Sequence, residues 1–336
     1  MSLTRRQFLS LAVAGAAFPL VRGAPARTGR LVRTVTGPVP AGELGLTLAH
    51  EHVLVDFVGA AAIKPGRYDR EVAFAKILPH LRQAAALGVR AVFECTPDFI
   101  GRDPLLLRQL SAASGVKLVT NTGLYGARDG LFLPGYAHQE TAAQLAARWI
   151  REARDGIGDT GIRPGFVKSG VNTADRLSAV DRKLVEAAAR THRETGLAIA
   201  VHTGRGPGLE QLAILREHGA PASAFIWVHA ASATDDALFA AADAGAWLSF
   251  DSVRANTLAR HVQLCVAFKA RGQLGQVLVS HDAGWYDPAK PDGGTFRPYT
   301  FLFEAFLPAL RREGFTPAEL DQLLITNPAA ALAIAG

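Results

Sequence analysis

Between Thr47 and Asp282 the chain passes eight times from a short apolar run into the next segment, seven of them with helical spacing. The apolar runs are Thr47–His52, Arg90–Cys95, Lys117–Gly123, Pro164–Ser169, Ala198–Thr203, Phe225–Ala230, Ala246–Asp251 and Val277–Asp282. The helical segments between them are Asp69–Leu87, Pro104–Gly115, Gln139–Asp155, Ala179–Thr195, Gly208–Gly219, Thr234–Gly245 and Ala255–Arg271. Gly88 and Gly115 stand where helices stop, and Asp103 stands where one starts, just before Pro104. Eight strands alternating with helices over roughly 250 residues predict an α/β fold, a (β/α)8 TIM barrel. An open doubly wound sheet is the competing architecture, but no Gly-rich phosphate-binding turn follows the first strand. Arg30–Gly37 alternates and reads as a hairpin strand closing one barrel end. Leu302–Gly336 adds C-terminal helices, with Thr326-Asn327-Pro328 expected to cap the last.

The first 26 residues read as separate from this fold. Thr4-Arg5-Arg6-Gln7-Phe8-Leu9 resembles a twin-arginine export signal, followed by an apolar stretch from Leu9 to Val21 and a small-residue cleavage site at Ala24-Pro25-Ala26. The expected partner is the twin-arginine translocase, and the expected location periplasmic or secreted. Residues 27–336 then form a single domain. No apolar run reaches the roughly 18 residues of a membrane span, so no stable membrane anchor is expected. The leader holds Arg5, Arg6 and Arg22 and no acid. Without it Lys+Arg falls from 36 to 33 against 30 Asp+Glu, and the net charge from +6 to +3. No Lys/Arg cluster is interleaved with aromatics, which argues against nucleic-acid binding. Cys95 and Cys265 read as two buried free thiols rather than a disulfide.

In a barrel of this kind the active site lies at the C-terminal strand ends. The polar residues standing there are His50 and His52 on the first strand, Lys168 on the fourth, His202 on the fifth, His229 on the sixth and Asp282 on the eighth. Side chains alternate along a strand, so His50 and His52 share a face and Glu51 takes the other. Two imidazoles on one face are half of a metal site. Lysine is almost never fully buried unless paired, which makes Lys168 the most informative of the six. Each residue alone could be a satisfied polar group capping a barrel layer. Six together point to chemistry.

Gly45-X-Thr47-Leu48-X-His50-Glu51-His52, Gly101-Arg102-Asp103, Thr122-Gly123-X-Tyr125, Gly165-Phe166-Val167-Lys168, Val201-His202-Thr203, Thr234-Asp235-Asp236 and Ser280-His281-Asp282 resemble, as a set, the phosphotriesterase family of the amidohydrolase superfamily, which includes lactonases. The resemblance runs from about Leu31 to Asn327. It implies a centre of two divalent metal ions per chain, with zinc the expected metal. His50, His52 and Asp282 would hold the more buried ion, and His202 and His229 the more exposed one. Lys168, carbamylated by CO₂, would bridge both, as would a hydroxide. An ammonium would repel two dications, whereas a carbamate supplies two oxygens and a negative charge. Asp282 would accept the hydroxide's proton during attack, so Asp282 and Lys168 are the catalytic candidates. Family members are often homodimers, and a homodimer is the expected assembly.

The substrate side departs from the phosphotriester-cleaving members, which carry His after the strand-7 Asp and an Asp after strand 6. Here Ser252 follows Asp251, and Ala230–Ala233 contains no acid. Lactonase relatives carry Arg at the first of these places, and Arg254 stands two positions late. The expected function is therefore hydrolysis of a small ester, a lactone or carboxylic ester, ahead of an aryldialkylphosphate. A non-catalytic periplasmic binding barrel is disfavoured, because all six ligands are retained. Candidate substrate contacts are Tyr125, Arg205, Arg254, Trp285 and Tyr286. Trp285, Tyr286 and Phe296 would form an apolar wall, and Arg205, Arg254 and Arg297 could instead face an anion. His281 points away from Asp282, towards barrel–helix packing. His80, His138, His192, His218 and His261 read as surface or packing histidines.

Overall fold

The computed structural model describes residues 29–64 and 66–335. The expected leader, residues 1–26, lies outside them. The eight barrel strands are β1 (Thr47–Leu54), β2 (Ala91–Glu94), β3 (Lys117–Val119, continuing as Asn121–Thr122), β4 (Phe166–Gly170), β5 (Ala198–His202), β6 (Phe225–Val228), β7 (Trp247–Phe250) and β8 (Val277–Val279). One parallel ladder runs β8-β7-β6-β5-β4 to the second half of β3. The other runs from the first half of β3 through β2 and β1 to Gly284–Tyr286, downstream of β8. The ladders therefore share the chain at β3 and after β8, and the ring is complete. Between them the Asp282 N–H donates to the His50 carbonyl at 3.1 Å, and the His52 N–H to the Ala283 carbonyl at 2.9 Å.

Helices cover the outer face, so the strands are buried on both sides and read as nearly continuous apolar runs. In β4, Val167 joins the layer beneath the helices, while Phe166 joins Phe93, Ala198, Ala200, Ile226 and Leu278 inside the barrel. Period two then places Lys168 on the interior side with Phe166. Arg30–Thr34 and Gly37–Pro40 form the expected hairpin, closed by Ile334–Ala335. Cys95 and Cys265 are buried free thiols. No helix among the described residues is long and apolar enough to cross a membrane.

Local chemistry explains where elements begin and where they differ from the sequence reading. The Asp103 side chain accepts from Leu105 N and Leu106 N and caps helix Pro104–Ser114. The helical segment expected over Gln139–Asp155 splits into Gly135–Gln139 and Ala142–Asp155. Thr141 is extended and forms a capping box with Gln144, starting a new helix. Thr326 caps nothing: the chain stays helical from Pro317 to Leu332 through a π-turn at Gln322–Thr326. The wider turn accommodates Pro328, and a second one precedes Pro308. Asn327 instead donates to the Leu274 and Val277 carbonyls at 2.9 and 2.7 Å, pinning the start of β8.

Glu51, placed on the face opposite His50 and His52, holds the β8 end of the ring. One oxygen accepts from Ser280 Oγ (2.7 Å), His281 N (2.9 Å) and His281 Nδ1 (2.6 Å), and the other from Ala283 N (2.7 Å). The His281 Nε2 accepts from Leu302 N, which ties this end to the C-terminal helices and fits the packing role expected of His281. Four donors converge on one fully buried carboxylate and fix the backbone on both sides of Asp282. In Glu51→Gln, whichever way the amide turns, an NH₂ meets a donor. The expected loss is about 2–4 kcal/mol in unfolding free energy, read from urea unfolding monitored by circular dichroism. A loss below about 0.5 kcal/mol would show that the clamp is dispensable.

Candidate metal centre

His50 stands at an irregularity of β1, where the register with β2 shifts between Leu48 and Glu51. His50 and His52 share a face as expected, their ring centroids 5.3 Å apart. His229 lies 5.1 Å from His50, and His202 lies 4.5 Å from His229. Four imidazoles from β1, β5 and the end of β6 thus form one continuous arc. His50, His52 and Asp282 each offer one ligand atom, all within 4.8 Å of one another. Lys168, 2% exposed, makes no ion pair among the described residues.

Two of these positions, and Ser252 beside them, depend on backbone that side chains normally avoid. His229, Ser252 and Asp282 have φ of +59°, +65° and +55°. They follow β6, β7 and β8, which stop earlier than the apolar runs suggested. Such left-handed residues cost of order 1–3 kcal/mol each and collect at functional sites. Asp251 compensates part of this. It is fully buried, and it accepts from the His229 N–H (3.1 Å), the His229 Nδ1 and Ser249 Oγ (2.8 Å). The His50 Nδ1 lies 3.3 Å from the same carboxylate.

These contacts fix the imidazole tautomers. Asp251 takes the Nδ1–H of His50 and of His229, leaving each Nε2 lone pair free. The His52 Nδ1 lies 2.8 Å from Thr96 Oγ1, whose hydroxyl is committed as a donor to Glu94 at 2.5 Å. His52 therefore donates from Nδ1, and its Nε2 faces Asp282 Oδ1 at 3.1 Å. The His50 Nε2 is buried and has no hydrogen-bond partner among the described residues. A buried lone pair without a donor beside a carboxylate suits a cation, and neutral imidazoles braced by carboxylates suit a metal of the zinc type.

For His50 and His202 protonation agrees with this. Burial, reinforced by Lys168, lowers the His50 pKa to about 4. Burial, then His229 and Lys168, hold His202 well below its ordinary value. Burial also pulls His229 down, but the charge and hydrogen bond of Asp251 outweigh it and the net value is raised. Burial opposes ionisation of Asp282, yet the adjoining His52 and the nearby His229 and His50 imidazoles keep its carboxyl well below the usual range. Ser252 donates to Asp282 Oδ2 at 3.2 Å.

The imidazole arc continues into an apolar one. Tyr125 packs 5.0 Å from His202, Phe132 5.9 Å from Tyr125, and Phe57 6.0 Å from Phe132. Trp285 lies 5.4 Å from Phe57 and 5.8 Å from His52, closing the circuit. Of the expected wall, Trp285 is in place, and Tyr125, a candidate substrate contact, joins it. Tyr286 and Phe296 are not in place. Tyr286 packs in the layer beneath the helices, with Gly293 against its ring, because neighbouring strand residues face opposite ways. Phe296 stacks on His80 at 4.0 Å. Arg205 and Arg254 are exposed on loops after β5 and β7, and neither makes an ion pair among the described residues. Asp251, Thr96, Glu94, Phe57 and Phe132 were not among the sequence candidates. Asp251 ends an apolar run as the others do, a signal that could have found it.

The profile of the Phosphotriesterase family matches residues 30–332. This chain belongs to the phosphotriesterase family. It is 30% identical to the Escherichia coli "Phosphotriesterase homology protein" over 84% of this chain and 96% of that one. The "N-acetyltaurine hydrolase" of Salmo salar is 24% identical, over 88% and 96%. The "Organophosphorus Hydrolase from Deinococcus radiodurans" superposes with a TM-score of 0.79 at 28% identity, over 93% of this chain and all of that one. The family is one of binuclear metal hydrolases, and its shared barrel agrees with the ring described above. The names of these relatives specify different substrates, organophosphorus compounds and N-acetyltaurine.

The two low imidazoles set a pH dependence. The unfolded chain protonates His50 and His202 as pH falls through about 6.5, whereas the folded chain holds His50 neutral until about 4. Both sites therefore destabilise the metal-free fold across that window, and His229, with its raised value, opposes them as one site against two. Urea unfolding of chelator-treated protein should show a lower midpoint at pH 4.5 than at pH 7. An equal or higher midpoint at pH 4.5 would contradict neutral His50 and His202.

Proposed function

We propose that this chain is a hydrolase that opens lactones or carboxylic esters at two divalent metal ions, with zinc the expected metal. His50, His52 and Asp282 would hold one ion, and His202 and His229 the other. Lys168, as a carbamate, would bridge them with two oxygens and a negative charge. The observation that carries this reading is the orphaned Nε2 of His50 within an arc of imidazoles, three of which, His50, His52 and His229, have their Nδ1 protons committed outward.

Bound metal would supply an activated water and polarise the carbonyl. The remaining work falls to this chain's own side chains. Asp282, kept ionised, accepts a proton from the attacking water and returns it to the departing alkoxide. Ser252 holds Asp282 Oδ2 and so aims the carboxylate. Asp251 takes the Nδ1–H of His50 and of His229 and so turns each Nε2 inward. Tyr125, Phe132, Phe57 and Trp285 exclude water and offer an apolar surface to a ring or acyl chain.

Two observations favour a lactone or carboxylic ester over a phosphotriester. Ser252, a hydroxyl with no imidazole to relay through, occupies the position after Asp251, and Ala230–Ala233 contains no acid. Lactone opening can do without a long relay, because the alkoxide stays tethered close to Asp282. The likeness to an organophosphorus hydrolase supports a phosphotriester as the second reading.

Protein expressed with Zn²⁺ or Co²⁺ should contain about two metal ions per chain by elemental analysis, and Lys168→Ala should lose metal together with activity. A stoichiometry clearly below one in the wild type, or wild-type metal content and rate in Lys168→Ala, would overturn the binuclear assignment. Across simple, acyl-homoserine and sugar lactones, aryl esters and an aryl dialkyl phosphate, kcat/KM should be greatest for a lactone or carboxylic ester. A phosphotriester ahead of all of them by ten-fold, about 1.4 kcal/mol in the barrier, would establish the second reading instead.

A further inference from the structure

Trp285, which meets His52 edge to face, carries a guanidinium over its ring: Arg297 Cζ lies 4.0 Å from the ring centroid. Arg297 is anchored there by its backbone, donating to the Gly284 carbonyl at 2.8 Å and accepting from the Gly284 N–H at 2.9 Å. A Cβ at Gly284 would stand 1.7 Å from the His52 carbonyl, so this approach to β1 requires glycine. No carboxylate among the described residues lies within ion-pair distance of Arg297. The neighbouring Lys290 is paired with Asp287 at 3.3 Å. Trp285, Val55, Asp287, Lys290 and Arg297 line a cavity of about 400 Å³ whose charges leave one guanidinium uncompensated. Trp285 itself has φ of +75°, and its buried Nε1 has no acceptor among the described residues. An aromatic held in strained backbone without a hydrogen bond of its own, under an unpaired cation, marks a place where a ligand completes the interactions.

The two ring spacings put Arg297 Cζ at most about 10 Å from the His52 ring centre, within reach of a short substrate whose reacting carbonyl sits at the imidazole arc. We propose that Arg297, stacked on Trp285, is an anion subsite of the active site, and that the preferred substrates are esters or lactones carrying a carboxylate, sulfonate or phosphate tail. This rests on the hydrolase reading above and names its substrate class. The tail crosses the Trp285 edge, and its oxygens take the guanidinium donors that no chain carboxylate uses. The bond cleaved is unchanged, and Arg297 selects which molecule presents it.

The test uses metal-loaded full chain and two near-isosteric esters, 4-nitrophenyl hydrogen glutarate and 4-nitrophenyl valerate, with glutarate as a binding probe. The wild type should favour the anionic ester by ten-fold or more in kcat/KM, mostly through KM, and added NaCl should erode the preference. Arg297→Gln should abolish the preference, and Arg297→Lys should restore part of it, since the charge returns without the planar fork. Calorimetry should show glutarate binding weakened ten-fold or more in Arg297→Gln. Cleavage of both esters without preference, or a preference and glutarate affinity unaltered by Arg297→Gln, would overturn the subsite. Glutarate binding that depends on Arg297 in a protein that cleaves neither these esters nor any lactone of the panel above would uphold the subsite and overturn the hydrolase reading.

Discussion

The carboxylate of Asp251 is the interaction on which the centre depends. It is fully buried, has no Lys or Arg partner among the described residues, and is satisfied by one backbone N–H, one hydroxyl and two imidazoles. Burial alone would favour its acid form, but His229 and His50 hold it well below the usual carboxylate range. A buried anion of this kind is costly unless every lone pair finds a donor. Here the donors are the Nδ1 positions of two candidate ligands, so satisfying Asp251 and presenting two Nε2 lone pairs inward are the same arrangement. The His229 N–H bond also stabilises the left-handed turn that brings His229 to the arc.

Glu51 and Glu94 extend the principle outward. Glu94 receives Thr96 and thereby sets the tautomer of His52. Glu51 gathers the end of β8 and sets the backbone around Asp282. Each candidate ligand of β1, and the Asp282 carboxylate beside them, is thus oriented by a buried acid. Arg102 performs a related service one layer out. Its bidentate pair with Glu152, at 2.8 and 2.9 Å, and its bond to the Asn121 carbonyl tie the end of β3 to helix Ala142–Asp155. The approach of β3 to β4 is close enough that a Cβ at Gly123 would stand 2.1 Å from the Lys168 carbonyl. The Thr122-Gly123 step therefore bears directly on where Lys168 sits.

The active-site circuit is chemically divided. His52, His50, His229 and His202 form one half, and Tyr125, Phe132, Phe57 and Trp285 the other. The imidazole half comes from strands and strand ends, where the barrel fixes position. The aromatic half comes mainly from loops after β1, β3 and β8, where composition varies without disturbing the barrel. A shared centre with different reaction partners across the family is the expected result, and it matches relatives whose names specify different substrates.

The sequence by itself determined the barrel and the six polar strand-end residues, because strand and helix periods are local properties and buried strands must be apolar except where chemistry intervenes. It also placed His50 and His52 on one face, since period two is a property of the backbone. It did not determine which neighbours brace those residues. Asp251 and Glu51 act across the ring on residues tens to hundreds of positions away, and only closure of the sheet makes them neighbours. Nor did it separate Trp285 from Tyr286 and Phe296 as walls of the site. All three are aromatics in one loop, and the short strand Gly284–Tyr286, by pairing with β1, decided which face of that loop looks inward. Hydrophobic periodicity is written residue by residue. The orientation of a loop side chain and the partner of a buried charge are set by contacts that exist only once the ring has closed.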